Sequence, residues 1–188
     1  HIIGEQTRDV TIKNIVFDGS DDDRDLLSTD WRFIKGLTLD NVIFRNTSQN
    51  AILNGSPTAG LTIMNSKFEN IGENGIVYTS SAVKSSQLAI SDTSFINDAS
   101  IVKNGSAISI PEMSAPIKID NVLFENQIAD KATINGGVAL NLTTFRNQLS
   151  INNSYFKNNE LNNMDNLDGY AYGGAIYIDT GQFIGMNI

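Results

Sequence analysis

Residues 37–46 read LTLDNVIFRN, and residues 117–126 read IKIDNVLFEN. Both obey one pattern, apolar-x-apolar-x-Asn-x-x-Phe-x-Asn. Moving outward along the chain, the same unit recurs as VTIKNIVFDG from Val10, LTIMNSKFEN from Leu61, LAISDTSFIN from Leu88 and LSINNSYFKN from Leu149. The final residues, FIGMNI from Phe183, read as the start of a seventh copy. A periodic unit of this size is the mark of a solenoid, in which no single turn buries its apolar face until neighbours stack on it.

Three columns follow from the alignment. The first contains Asn14, Asn41, Asn65, Asp92, Asn121, Asn153 and Asn187. The second contains Phe17, Phe44, Phe68, Phe95, Phe124 and Phe156. The third contains Gly19, Asn46, Asn70, Asn97, Asn126 and Asn158. Successive first-column residues are 27, 24, 27, 29, 32 and 34 apart. A floor of 24 with variable excess suits one coil plus loops. Alternation of apolar residues, as in Leu61 and Ile63, indicates strands rather than helices. A second strand lies between motifs: AILN from Ala51, GIVY from Gly75, AISI from Ala107, VALN from Val138 and AIYI from Ala175. Each coil therefore has at least two short strands, with room for a third. The expected fold is all-β, a right-handed parallel β-helix of about seven coils of 24–34 residues, forming one domain over residues 1–188 that is a fragment of a longer chain. Phe should stack down the interior, and Asn should occupy turns, where it tolerates left-handed geometry and bonds its counterpart one coil away.

Composition agrees. Charged residues are 18%, against roughly 25% in typical soluble domains. The net charge of −8 argues against nucleic acid, which requires clustered Lys and Arg. There are no cysteines, which removes disulfides, thiol catalysis and thiolate metal sites. No apolar run reaches the length of a membrane span, so no membrane insertion by this segment is expected.

Residues 173–178, GGAIYI, and residues 153–159, NSYFKNN, resemble the repeats of the polymorphic outer-membrane proteins of Chlamydia and of adhesin-like surface proteins of bacteria and methanogenic archaea. Residues 136–139, GGVA, are a degenerate second copy of the first motif. The resemblance implies a β-helix at the cell surface or outside the cell, with an adhesive or structural role and a glycan or protein ligand.

Candidate sites fall in the inserts. Asp21, Asp22, Asp23 and Asp25 form an oxygen-rich group of the kind Ca²⁺ takes, although they lack the ordered alternation and Gly of an EF-hand. Trp31 offers a flat ring for a sugar, or else closes the core under its loop. Asp165, Asp168, Tyr170 and Tyr172 combine acids with tyrosines, as carbohydrate contacts do, on what otherwise reads as a polar loop. Thr11, Thr38 and Thr62 begin an outward Thr column that breaks at Ala89, Lys118 and Ser150, which argues against ice binding.

A polysaccharide lyase or glycoside hydrolase is the alternative from another class, and a glycan-binding module is the third. Hydrolysis requires paired carboxylates, and the one His, at position 1, supplies no internal base. A Ca²⁺-dependent lyase would need an outward Arg or Lys, for which Arg45, Lys67, Arg146 and Lys157 are the candidates. Their membership in the repeat favours structural roles. The expected function is a non-catalytic scaffold or binding module, with self-assembly through its ends open to it.

Overall fold

The computed structural model describes residues 9–20, 24–29, 36–54, 60–79, 87–130, 136–162, 174–180 and 185–187. Every described element is a β-strand, and every pairing between strands is parallel. Three sheets result. The largest stacks β1 (Val10–Asp18), β3 (Gly36–Thr47), β5 (Gly60–Met64) with β6 (Lys67–Ile71), β8 (Leu88–Ile96), β11 (Ile117–Glu125), β14 (Gln148–Asn152) with β15 (Tyr155–Lys157), and β18 (Gly185–Asn187). The second stacks β2 (Leu27–Thr29), β4 (Ile52–Asn54), β7 (Ile76–Tyr78), β10 (Ile108–Ile110), β13 (Leu140–Phe145) and β17 (Ile176–Thr180). The third holds only β9 (Val102–Lys103), β12 (Ile128–Asp130) and β16 (Glu160–Asn162). The chain visits the sheets in turn, so each strand pairs with its counterparts one pass earlier and later. That is the arrangement of a β-solenoid.

Register follows the repeat columns. Val10, Leu37, Leu61, Leu88, Ile117 and Leu149 are successive partners, as are Phe17, Phe44, Phe68, Phe95, Phe124 and Phe156. The outward Thr column also stands as read, Thr11 on Thr38 on Thr62, then Ala89, Lys118 and Ser150.

The first Asn column explains how one strand lines two walls of the core. Asn14, Asn41, Asn65, Asp92, Asn121 and Asn153 all have φ between 49 and 56°. Asn and Asp are the side chains that best tolerate this left-handed region after Gly. One such residue bends the strand and shifts its alternation by one. Leu37 and Leu39 point inward before Asn41, and Val42 and Phe44 point inward after it, each at most 1% exposed. The second Asn column does the same at the next corner, with Asn46, Asn70, Asn126 and Asn158 at φ of 52 to 56°.

The six Phe rings form one stack inside the molecule. Centroid spacings run 4.9, 5.0, 4.4, 5.2 and 4.8 Å, with neighbouring rings within 16° of parallel. Stacked strands set this spacing, which stays close to the roughly 4.7–4.9 Å between the chains that carry the rings.

Three details differ from the sequence reading. Asn187 does not join the Asn column. It pairs with Ser150, and Met186 pairs with Leu149, so the last copy of the motif is displaced by three positions from Asn153. The strand read as VALN from Val138 is shifted by one. Leu140 is the partner of Ile108 and Ile176, which makes Ala139 the counterpart of Ala107 and Ala175. Gly137, at φ +66°, takes up the extra residue. Finally, Asn97 leaves its column. It is buried at 3% and lacks the left-handed φ of the other third-column Asn residues.

Candidate functional site

The repeated polar residues assemble into ladders that run from coil to coil. In the first column the Asn41 side-chain amide donates to Asn14 Oδ1 at 2.8 Å and that of Asn121 to Asp92 Oδ1 at 2.8 Å. Where Ser follows the Asn, the rung becomes diagonal. Asn65 donates to Asp40 Oδ1 and Asn153 to Asp120 Oδ1, both at 2.9 Å. In those copies the hydroxyl stands in for a backbone carbonyl. Ser66 Oγ accepts the Val42 N–H at 3.1 Å, and Ser154 Oγ accepts the Val122 N–H at 3.1 Å. The strand is interrupted at both places, between β5 and β6 and between β14 and β15.

Charges reinforce the ladder on the outside. Arg45 Nε lies 2.7 Å from Asp18 Oδ2, and Asn46 donates to the other oxygen at 3.1 Å. The Asn46 amide and then the Arg45 guanidinium hold the Asp18 carboxyl below its ordinary 3.8. Asp40 is lowered in the same way by the Asn65 amide and then by Lys13, whose Nζ is 3.0 Å away. Lys157 reaches Glu125 at 2.6 Å, and Lys67 reaches Glu69 at 2.6 Å on its own strand. Three of the four basic residues considered for a lyase are thus ion-paired. The fourth, Arg146, is exposed, and its N–H donates to the Met113 carbonyl at 3.0 Å.

A further ladder was missed in the sequence. Asn50 donates to Asp25 Oδ1 at 2.9 Å, Asn74 donates to Asn50 Oδ1 at 2.9 Å, and Asn74 Oδ1 accepts the Ser106 N–H at 2.8 Å. Asn50, Asn74 and Ser106 each stand two places before an inward Ile: Ile52, Ile76 and Ile108. That recurrence was the available signal. Asp25, one of the four Asp residues offered for Ca²⁺, accepts the first of these bonds at the turn before the second sheet. Asp21, Asp22 and Asp23 lie outside the described residues, as do Trp31, Asp165, Asp168, Tyr170 and Tyr172.

Inside the corner after the Phe stack, buried amides take over from the exposed column. Asn97 accepts the Ile71 N–H at 3.0 Å and donates to the Ile71 carbonyl at 3.2 Å. Gln127 donates to the carbonyls of Phe95 at 3.0 Å and Glu125 at 2.9 Å, and Asn159 donates to that of Phe124 at 3.0 Å. Backbone groups at a buried corner need such partners, because an unpaired one costs about 1–3 kcal/mol. Asn97 turns inward for this reason. In the second sheet a buried rung joins Thr29 Oγ1 to Asn54 Oδ1 at 2.9 Å.

These arrangements position backbone and resist slippage between coils. Among the described residues, no three His, Cys, Asp or Glu side chains gather as a metal would require. Compared with known proteins, the chain matches no family model, no curated protein and no solved structure.

Proposed function

We propose that the chain is a right-handed parallel β-helix of about seven coils serving as a non-catalytic module of an extracellular or cell-surface, adhesin-like protein. Its role is that of a stiff stack that presents loops to a glycan or protein ligand. One observation carries the reading: the repeated polar residues of the described strands bond from coil to coil, so the repeat is built around axial cohesion. Right-handedness follows from the general preference of parallel strands joined by a crossover. The surface setting rests on the resemblance of GGAIYI and NSYFKNN to surface-protein repeats.

The test is turnover of acidic polysaccharides with and without Ca²⁺. The expected result is no new chain ends under either condition. Cleavage that is abolished by EDTA and by Arg45→Ala would replace the scaffold reading with a lyase. Binding to a glycan array that is lost in Trp31→Ala would specify the ligand class without changing the scaffold role.

A further inference from the structure

Lys103 is the one lysine, arginine or carboxylate in the core of the described residues. It is 1% exposed, and its amine makes no ion pair or hydrogen bond among them. It sits on β9, the outermost strand of the third sheet, whose strand neighbour is β12 alone. The register there is short, Val102 on Ile128 and Lys103 on Ala129. On its other side the pass below offers a single backbone partner nearby, the Gly72 carbonyl, which accepts the Asn104 N–H at 2.8 Å. The turn leading into β9 is bonded mostly within itself, and its Asp98 N–H also donates to Asn70 Oδ1 of the pass below at 2.9 Å. Asp98 Oδ1 accepts the Ser100 N–H at 2.9 Å and its hydroxyl at 2.8 Å, and the Asp98 carbonyl accepts the Ile101 N–H at 3.0 Å. Val102 faces outward and is 55% exposed. Just beyond, Ser106 Oγ is buried without a partner among the described residues.

We infer that residues 98–105 form a detachable strap, which closes most firmly on the core while the Lys103 amine is neutral and is biased to lift away from β12 and hydrate it once the amine is protonated. The strap has few attachments, so it can open without the stack unfolding. Among the described residues, the ionisable groups on the backbone passes next to it are carboxylates. Glu73 follows Gly72 in the pass below, Asp130 ends β12 above, and Asp98 starts the strap itself. Asp98 is engaged by Ser100, which lowers its carboxyl, and neither Asp98 nor Glu73 forms an ion pair with Lys103.

The direction of the pH effect follows from burial. Desolvation brings the closed-state amine from 10.5 down to about 7. The open strap, hydrated, has the ordinary lysine value. Between these limits the open state binds a proton that the closed state does not. Opening is therefore promoted as pH falls from about 10.5 and levels off below about 7.

Native-state hydrogen exchange, resolved by fragment and corrected for intrinsic rates, reads the opening constant of residues 102–105. From pH 9.5 to 7.5 that constant should rise about a hundredfold, since each unit is worth a factor of about ten. Protection of Leu39 and Ile63 should not follow it. In Lys103→Met the opening constant should be smaller and independent of pH. A flat profile in the unmodified chain, which needs no variant, overturns the inference. So does an unchanged slope in Lys103→Met.

Discussion

Phe68→Ala isolates the contribution of the interior ring stack. Phe68 is 1% exposed and lies between Phe44 at 5.0 Å and Phe95 at 4.4 Å. Truncating a buried Phe costs about 3–5 kcal/mol in transfer and cavity terms. Removing each stacked ring pair adds roughly 0.5–1.5 kcal/mol, with some overlap between the two accounts. Stacked strands hold the walls apart, so the cavity cannot collapse, and about 5 kcal/mol is expected in all. Phe17 at the first strand provides an internal comparison. Among the described residues it has one ring neighbour, Phe44 at 4.9 Å, and it is only partly buried. Phe17→Ala should cost about 2 kcal/mol. Phe68→Leu keeps most of the volume but breaks both stacked pairs, and should cost about 1–2 kcal/mol. Equilibrium urea unfolding followed by far-ultraviolet circular dichroism measures all three at one pH. If Phe17→Ala and Phe68→Ala are equally destabilising, or Phe68→Ala is harmless, the interior column is not what holds the coils together.

Three other perturbations test separate links. Asn121, at φ 53°, both relaxes the left-handed corner and bonds Asp92. Asn121→Ala should cost about 1–2 kcal/mol more than Asn121→Gly, because Gly retains the backbone freedom; equal losses by thermal melting would mean the side-chain rung alone matters. At Gly137, φ +66°, an added Cβ would meet the Leu140 carbonyl, whereas a Cβ at Gly174 meets nothing within 4 Å. Gly137→Ala should therefore lower the melting temperature and Gly174→Ala leave it unchanged. Asp18 and Asp40 have lowered carboxyls. Their contribution to stability is complete above the ordinary value of 3.8 and is lost as pH falls below it. The acid limb of a stability–pH profile should shrink in the double variant Asp18→Asn, Asp40→Asn, and an unchanged limb would show that these pairs contribute nothing.

Much of this fold was legible because the chain repeats its solution. Any one copy of apolar-x-apolar-x-Asn is weak evidence, but six Phe residues at matched positions predict the register of the main sheet residue by residue. What was illegible was what occurs once. The third sheet is built from two or three residues per pass, and its inward column opens with Lys103, which hydrophobic patterning assigns to the surface. Asn97 carries the right letter for its column but meets a different need, pairing the backbone of Ile71. Asn187 likewise matched by letter, whereas the sheet aligns Met186 with Leu149. Identity of residue type predicted position only where the local geometry demanded that type. Of the residues offered as ligand sites only Asp25 is among the described ones, where it accepts from Asn50 in the rung that continues through Asn74.

The amide rungs also have a direction. Asn41, Asn46, Asn50, Asn65, Asn74, Asn121, Asn153 and Asn158 each donate to a residue of lower number, and the inward amides of Asn97, Gln127 and Asn159 do likewise. Within such a chain an Asn is a relay, able to receive from one neighbour and pass a proton donor to the other. An ionised Asp is a terminus: Asp18, Asp25 and Asp92 receive and pass nothing on. The choice between two nearly isosteric side chains therefore punctuates the stack, fixing where a run of linked coils stops. Coils exchanged between solenoids of this type would have to match in this one-way grammar as well as in shape, with an acceptor always awaiting the donor above it.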